Sequence, residues 1–253
     1  MKAVQIGSVV LGTGTPKIAV PVMGKSIEEL EEAARRAEDA DILELRMDSL
    51  SPEMNPAILR KACEAVRKIG KPVLATMRTK RDGGAGEEDS EKYEALLDAL
   101  ILEKCCDAVD VELSVGESAF LRIAEAAHAQ GIPVIGSFHD FAGTPETEKM
   151  VSLMKKMAAL NADVCKIAVM PHSRADTAAL IAACAQIHDE LSQPVIAIAM
   201  GELGAMTRLC GEMMGSCLTF GTAGKASAPG QIDARTLRKT LNALHEALTA
   251  GAL

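Results

Sequence analysis

The chain has 253 residues, of which 48% are hydrophobic but only 2% aromatic, and its formal net charge is −8 at pH 7. A core of this composition is aliphatic, which suits α/β packing better than an aromatic-rich β-sandwich. The negative charge and the scarcity of aromatic rings argue against nucleic acid or an anionic membrane surface as a partner. An anionic substrate would have to be attracted by locally placed Arg or Lys side chains.

The seven cysteines have no regular spacing, include the adjacent pair Cys105 and Cys106, and form no CxxC motif. This pattern predicts reduced, buried thiols in a cytoplasmic protein rather than a disulfide framework. The first residues have no long apolar run and no cleavage pattern, so no signal peptide is expected. No apolar stretch approaches the ~20 residues that a membrane-spanning helix needs.

Eight short apolar runs alternate with helix-like segments along the chain. Most runs are continuous rather than alternating, which is typical of strands buried on both faces. Strict strand–helix alternation predicts parallel strands, and eight units in this length predict one (β/α)₈ TIM-barrel domain over residues 1–253. A doubly wound open sheet is the alternative. Residues 4–13 are predicted to form a short β-hairpin ahead of the barrel. The runs lie near 18–23, 42–46, 72–78, 107–113, 133–138, 163–169, 194–200 and 217–221.

Helix-start signals separate the apolar runs. Ser26-Ile27-Glu28-Glu29 has the pattern of a capping box, in which the side chains of Ser and Glu bond each other's backbone amides. Asn55-Pro56 and Thr144-Pro145 are typical openings of a helix. Asp233 is placed to cap the last helix.

Polar residues at the carboxyl ends of barrel strands are the candidates for catalysis. Lys166 lies inside the apolar segment 164–169 and is expected to point into the barrel, where burial favours the neutral amine that attacks carbonyl groups. The alternative is a lysine that reaches solvent or pairs with a carboxylate. His139, at the end of the fifth run, is suited to proton transfer near neutral pH, or is a hydrogen-bonded structural histidine.

Other strand ends carry arginines and a carboxylate. Glu44 and Arg46 are two residues apart on one strand and therefore face the same side. Arg78 ends the third strand and precedes Gly83-Gly84, a pair that predicts a mobile or tightly turned loop. Arg208 follows the seventh strand and could bind a carboxylate through two parallel hydrogen bonds from its guanidinium. An ordinary arginine on a helix surface is the simpler interpretation.

The segment 224–231, after the eighth strand, is long for a barrel loop and rich in small and polar residues. We expect it either to close over a bound substrate, with Ser227 and Gln231 as hydrogen-bond donors, or to be a flexible connection. Its glycine spacing matches neither the P-loop nor the dinucleotide fingerprint. No cluster of metal ligands is visible in the sequence.

Together these motifs resemble the type I 3-dehydroquinate dehydratases along essentially the whole chain. Any one motif is weak, but their order and spacing together are specific. The resemblance implies a cytoplasmic, homodimeric hydro-lyase of the shikimate pathway and aromatic amino acid biosynthesis, which converts anionic 3-dehydroquinate to 3-dehydroshikimate without a cofactor. The segments that carry it are 12–17, 44–48, Arg78 with its glycine pair, 137–141, 166–171 and 226–231.

The resemblance also implies a role for each matching residue. Lys166 would form a Schiff base with the substrate ketone, and His139 would act as general base and acid, with Asp82 assisting it. The remaining residues would bind the substrate: Arg208, Ser227 and Gln231 at the carboxylate and its neighbouring groups, Glu44, Arg46 and Arg78 at the ring hydroxyls, and Met200 and Phe220 as apolar walls.

Four positions depart from the usual pattern of the family. Asp82 stands where glutamate is common, and its shorter side chain is expected to reach less far toward the histidine. Pro21 replaces a frequent serine, which would remove one substrate hydrogen bond. Phe138 stands where a polar residue or tyrosine is frequent, and Ile198 where methionine is. Because the lysine and the histidine remain, we expect altered affinity rather than lost chemistry.

Two other functions fit parts of the pattern. A class I Schiff-base aldolase also uses a barrel lysine, but it commonly acts on phosphorylated substrates, and no clear phosphate loop follows the seventh and eighth strands. A catalytically silent barrel that binds a quinate-like ligand as a sensor would share the fold without turnover. The intact set of Lys166, His139 and Arg208 argues against the sensor.

Overall fold

The computed structural model describes residues 2–50, 55–224 and 226–250. Within these ranges the chain forms eleven β-strands and nine α-helices. The strands are β1 Val4–Ile6, β2 Val9–Leu11, β3 Lys17–Val22, β4 Ile42–Arg46, β5 Val73–Thr76, β6 Ala108–Glu112, β7 Val134–Asp140, β8 Val164–Val169, β9 Val195–Ala199, β10 Leu218–Thr222 and β11 Ile232–Asp233. The helices are α1 Ile27–Arg36, α2 Pro56–Arg67, α3 Ser90–Leu102, α4 Glu117–Ala129, α5 Thr147–Ala159, α6 Arg174–Glu190, α7 Ala205–Leu209, α8 Gly211–Met214 and α9 Ala234–Thr249.

Strands β3 to β9 pair in chain order in one parallel sheet, and β10 pairs with β3 at its other edge. The sheet curls until β10 approaches β9. There Val195 and Ser216 form a single parallel bridge, and the backbone N–H of Cys217 donates to the carbonyl of Val195 at 2.9 Å. The eight predicted strands therefore form a (β/α)₈ barrel, and the doubly wound alternative is wrong.

The predicted hairpin precedes the barrel, with β1 and β2 paired antiparallel. Its buried side chains Val4, Ile6 and Leu11 belong to the same apolar cluster as Ile42 and Ala108, the first residues of β4 and β6. The hairpin therefore covers the amino end of the barrel, and the carboxyl end is left for the site.

Apolar side chains form one layer on each face of the curled sheet, because successive side chains of a strand point to opposite faces. In β8, Cys165, Ile167 and Val169 belong to the layer between strands and helices. Val164 and Ala168 belong to the layer inside the barrel. Lys166 lies between these two, so the alternation points its side chain into the barrel interior.

Three of the predicted caps are confirmed. The side chains of Ser26, Asn55 and Asp233 accept hydrogen bonds from the first-turn amides of α1, α2 and α9. The capping box at α1 is only half formed, because the Glu29 carboxylate accepts from the amide of Lys25 rather than from that of Ser26. The helix is still capped, since Oγ of Ser26 accepts from the first-turn amide of Glu29 at 3.3 Å.

The predicted helix opening at Thr144-Pro145 is wrong, because α5 begins at Thr147. The Asp140 carboxylate accepts from the amides of Ala142 and Gly143 at 2.8 and 3.0 Å. These bonds turn the chain sharply after β7, so the helix starts only after the loop has left the barrel mouth.

All seven cysteines are free thiols, and six of them are buried, as predicted, while Cys210 is half-buried. In the described part of the chain, no helix has the length and apolar character needed to cross a bilayer. The same residues contain no group of three or more His, Cys, Asp or Glu arranged to hold a metal ion.

Candidate active site

A cavity with an empty volume of about 540 Å³ opens at the carboxyl end of the barrel. It brings together every residue for which the sequence predicted a role at the site. Pro21 and Ile198 also line it, whereas Phe138 packs against the apolar layer under the helices and points away from it. The predicted residues at the cavity are Glu44, Arg46, Arg78, Asp82, His139, Lys166, Met200, Arg208, Phe220, Ser227 and Gln231.

Lys166 lies at the base of this cavity and is only 4% exposed. Its Nζ lies 3.1 Å from Oδ2 of Asp110 and 3.8 Å from Oε1 of Glu44. On the other side it lies 4.4 Å from the centre of the Phe220 ring, a cation–π contact. The solvent-reaching interpretation of this lysine is therefore wrong, while the carboxylate pairing is present inside the site.

Asp110, on β6, is fully buried and joins three side chains of the site. Besides Lys166, it contacts Nη2 of Arg78 at 2.9 Å and accepts a hydrogen bond from Oγ of Ser137 at 2.6 Å. Burial opposes its ionisation, but the charges of Arg78 and Lys166 hold the pKa of Asp110 below its usual value. Asp110 is therefore an ionised anchor for two cations.

Arg78 is held by carboxylates of the protein. Its Nη1 lies 2.9 Å from Oε1 of Glu112, the second buried acid on β6. Burial opposes its charge, yet the carboxylates of Asp110 and Glu112 raise the pKa of Arg78, so it stays cationic. Neither acid was predicted from the sequence to belong to the site. Their signal is two carboxylates at period two inside the apolar run Ala108–Glu112.

His139 meets Asp82 at the cavity wall. Oδ2 of Asp82 lies 3.3 Å from Nδ1 of the ring and accepts from the backbone N–H of His139 at 3.2 Å. Despite its shorter side chain, Asp82 therefore reaches the histidine. With Nδ1–H directed at this carboxylate, Nε2 of the ring is left to exchange a proton with a ligand.

Burial lowers the pKa of His139 and raises the pKa of Asp82. Burial, followed by the charges of Arg78, Lys166 and Arg46, lowers the pKa of His139 well below its usual value of 6.5. Burial, followed by the charge of Glu112, raises the pKa of Asp82 to about 6. Near pH 7 the ring is therefore neutral and able to accept a proton, beside a carboxylate that is mostly ionised.

The loop between β5 and α3 is tightly turned, which explains the reach of Asp82. Gly83 has φ +81°, and a Cβ there would lie 2.1 Å from the ring of Phe141. A Cβ on Gly84 would lie 2.1 Å from the carbonyl oxygen of Arg78. Only glycine fits both positions, and the turn brings Asp82 back over the barrel mouth.

Glu44 and Arg46 face the same cavity, as their spacing predicts, but each has its own partner. Glu44 accepts from Oγ1 of Thr76 at 3.2 Å. Arg46 donates through Nε and Nη2 to the two oxygens of Asp48, each at 2.8 Å. Burial opposes the charge, but the bonds to Asp48 raise the pKa of Arg46. Asp48 therefore fixes a guanidinium at the rim of the cavity.

Arg208 is a buried cation with no ion-pair partner in the part of the chain that the structure describes. It is 1% exposed, so the helix-surface interpretation is wrong. Its two Nη atoms donate to the carbonyls of Phe220 and Pro229 at 3.2 and 3.1 Å. Its Nε is buried and has no hydrogen-bond partner among the described residues. Burial lowers the pKa of Arg208 to about 10. Among residues 2–50, 55–224 and 226–250 it forms no ion pair, an arrangement suited to an anionic ligand.

Ser227 and Gln231 lie in the loop after β10 and bond each other. The backbone N–H of Ser227 donates to Oε1 of Gln231 at 2.8 Å, and Nε2 of Gln231 donates to Oγ of Ser227 at 2.9 Å. Both groups line the cavity beside Arg208. Polar groups of this loop are thus available at the mouth of the site.

The fold is a (β/α)₈ barrel whose carboxyl end holds one cavity. Around this cavity lie a buried lysine, a neutral histidine and a guanidinium that forms no ion pair with any described residue. This combination suits an anionic compound that carries a carbonyl group. The family model of type I 3-dehydroquinase matches residues 18–247, and the chain belongs to this family.

Curated proteins and solved structures agree with this assignment. The 3-dehydroquinate dehydratase of Listeria monocytogenes is 40% identical over 250 residues, covering 97% of this chain and 99% of the relative. That of Escherichia coli O157:H7 is 39% identical over 252 residues, covering 98% and 100%. The crystal structure of type I 3-dehydroquinate dehydratase from Clostridium difficile, with covalently modified comenic acid, matches with a TM-score of 0.93 and 35% identity, covering 97% and 99%.

Proposed function

We propose that this chain dehydrates 3-dehydroquinate to 3-dehydroshikimate through an imine on Lys166, as an enzyme of the shikimate pathway and aromatic amino acid biosynthesis. The observation that carries the proposal is the burial of Lys166 in one cavity with His139 and Arg208. Membership of the type I 3-dehydroquinase family supports the same substrate. The whole chain would act as one catalytic domain.

The substrate carboxylate would bind Arg208, whose Nε has no partner within the described ranges of the chain. The ring hydroxyls would face Glu44, Arg46 and Arg78, which line the same cavity. The apolar face of the ring would lie against Met200 and Phe220, which are both buried at the cavity. These contacts would direct the ketone carbon toward Nζ of the lysine.

Covalent chemistry begins when Lys166 passes one proton to His139 and its Nζ forms a bond to the ketone carbon. That proton and one amine hydrogen then leave with the ketone oxygen as water. The resulting iminium withdraws electrons, so the adjacent C–H becomes acidic. His139 accepts this proton through Nε2, and the ionised carboxylate of Asp82 stabilises the imidazolium from the Nδ1 side.

Elimination follows from the enamine that proton abstraction leaves behind. Its electron pair expels the β-hydroxyl group, and His139 returns a proton so that the group leaves as water. Hydrolysis of the conjugated iminium then frees 3-dehydroshikimate and Lys166. Each proton and oxygen is accounted for by substrate, water and these two residues.

The loop after β10 would close over the bound substrate. Ser227 and Gln231 each already hold a hydrogen bond to the other, so binding exchanges these bonds for bonds to the substrate carboxylate and its neighbouring groups. The exchange keeps the number of bonds similar, which allows closure at little cost in free energy.

We also propose a homodimer that works in the cytoplasm. Exposed apolar side chains support an interface near α6 and α7, where Leu203 and Met206 are 38% and 59% exposed. The free thiols fit a reducing compartment. Light scattering of the purified protein tests the assembly: a mass of two chains is expected, and a mass of one chain would contradict it.

A turnover assay tests the function. Purified protein is mixed with 3-dehydroquinate, and the ultraviolet absorbance of the conjugated product is followed. We expect turnover without added metal or cofactor. Binding without turnover would favour the silent sensor, and neither binding nor turnover would overturn the substrate assignment.

A further inference from the structure

We propose that Glu112 is a positioning residue for this reaction. Through Thr79, it holds the Arg78–Gly86 loop in the conformation that brings the Asp82 carboxylate to His139. The inference rests on the proposed function, because it assumes that His139 moves the proton.

Glu112 is fully buried, and its carboxylate oxygens are both saturated with donors. Oε1 accepts from Nη1 of Arg78 and from the backbone N–H of Thr79, each at 2.9 Å. Oε2 accepts from Oγ1 of Thr79 at 2.6 Å and from Oγ of Ser114 at 3.3 Å. The backbone N–H of Glu112 in turn donates to the hydroxyl of Tyr93 at 3.1 Å. A carboxylate bonded on every side has one orientation and fixes the residues that bond it.

Thr79 connects the Glu112 carboxylate to Asp82 through hydrogen bonds. Its carbonyl accepts from the amides of Asp82 and Gly84 at 3.2 and 2.8 Å, and these bonds close the turn. A parallel bridge to Gly86 holds the other end of the loop. Asp82 then bonds both the ring and the backbone N–H of His139. An unbroken series of contacts therefore leads from Glu112 on β6 to the proposed base on β7.

Glu112 acts through these residues rather than on the substrate. It does not line the cavity, whereas Arg78, Asp82 and His139 do. Asp110, the other acid of β6, contacts Lys166 directly and so has a different place in the site. Glu112 can therefore affect the reaction through the loop that carries Asp82 or through Arg78, which it also contacts. An effect through Arg78 would change KM, whereas an effect through the loop would change kcat.

The charge of Glu112 also faces Asp82. The groups around the Asp82 carboxylate are the negative Glu112 and Asp110, the positive Arg78, the hydroxyl of Ser114 and the ring of His139. After burial itself, Glu112 is the main cause of the raised pKa of Asp82. Replacing Glu112 with glutamine should therefore lower the pKa of Asp82 and move the acid limb of the activity profile to lower pH.

The test is a double-mutant cycle of Glu112→Gln, Asp82→Asn and the pair of substitutions, with kcat and KM measured on 3-dehydroquinate. We expect Glu112→Gln to lower kcat by about 10- to 100-fold, the range caused by misplacing a catalytic group, with KM changed by less than about twofold. In the Asp82→Asn background the same substitution should have almost no further effect, because contacting residues in one network are not additive.

Two further variants keep the test decisive. Thr79→Val removes the 2.6 Å hydroxyl contact but retains Glu112, so it should also lower kcat, by a smaller factor. If Glu112→Gln fails to fold, Thr79→Val replaces it in the double-mutant cycle. Asp107→Asn is the matched control. Its half-buried carboxylate accepts from the amide of Val73 at 2.8 Å, at the amino end of β5, so its kinetics should equal those of wild type.

The inference would be overturned if the double variant lost kcat by the full product of the two single-variant factors. It would also be overturned if Asp82→Asn had wild-type kinetics. Failure of the proposed function would look different, because the unmodified protein itself would then not convert 3-dehydroquinate.

Discussion

Asp110 and Lys166 form a buried ion pair inside the barrel, with Oδ2 and Nζ separated by 3.1 Å. The other oxygen of the same carboxylate contacts Arg78, so one fully buried acid neutralises two cations at the base of the cavity. Removing one member of such a network leaves uncompensated charge, whereas the intact network holds the lysine in one position.

Asp110→Asn should therefore weaken both the fold and the reaction. Breaking a buried pair by removing one partner costs about 3–5 kcal/mol, so the free energy of unfolding should fall by that amount. kcat/KM should also fall, because Lys166 loses the group that fixes it. Urea unfolding and steady-state kinetics measure the two effects. A loss of stability below about 1 kcal/mol would contradict the buried network.

The activity should fall as the pH decreases through about 6. Because the pKa of Asp82 is raised to about 6, this carboxylate gains a proton there and can no longer stabilise the imidazolium of His139. The low pKa of His139 keeps the ring neutral through the same range. A kcat profile should show this acid limb, with an apparent pKa that belongs to the pair. The limb should be absent from Asp82→Asn.

The raised pKa of Asp82 also predicts that the difference in stability between wild type and Asp82→Asn depends on pH. The folded pKa of Asp82 lies above its usual value of 3.8, so folding favours the protonated carboxyl. The stability that this preference contributes is lost as the pH rises through about 6. Between pH 5 and pH 8, the Tm of Asp82→Asn should therefore rise relative to that of wild type. A Tm difference independent of pH would contradict the assigned shift.

Arg208→Ala should act mainly on binding. If the substrate carboxylate is held by a buried guanidinium, truncation removes about 2–5 kcal/mol of binding energy and raises KM accordingly. Arg235→Ala is the matched control, since that arginine is exposed and pairs with Glu38 and Asp39 at the surface, away from the cavity lining. An unchanged KM in Arg208→Ala would exclude the carboxylate role.

Pro21→Ser should improve substrate affinity. Pro21 lines the cavity and lies opposite Glu44 in the β3–β4 register, so a hydroxyl there would face the ring. One added hydrogen bond contributes about 0.5–1.5 kcal/mol, which corresponds to a KM lowered by roughly two- to tenfold. A KM equal to or above that of the unmodified protein would show that the substrate does not approach this position.

Much of the fold follows from local patterns in the sequence. Continuous apolar runs indicate strands buried on both faces, and the alternation within β8 is enough to point Lys166 inward. The caps at Ser26, Asn55 and Asp233 follow from side chains that satisfy amides only a few residues away. The opening at Thr144-Pro145 fails because Asp140 turns the chain first, and proline is as compatible with a loop as with a first helical turn.

The site was predictable where a residue ends a strand, and not where partners come from distant strands. Arg208 follows β9, yet its burial depends on the carbonyls of Phe220 and Pro229, which local pattern does not reveal. The reach of Asp82 depends on a turn closed by Thr79 and by two close backbone approaches at glycine. These contacts are properties of the assembled barrel mouth.

The imine on Lys166 is the central claim, and borohydride trapping tests it most directly. The protein is incubated with 3-dehydroquinate and borohydride, then analysed by intact mass spectrometry and peptide mapping, beside a Lys166→Met variant. We predict a ligand-sized mass increase on the peptide that contains Lys166 and no increase in the variant. A protein that binds and converts the substrate without any adduct, or with an adduct on another lysine, would contradict the mechanism.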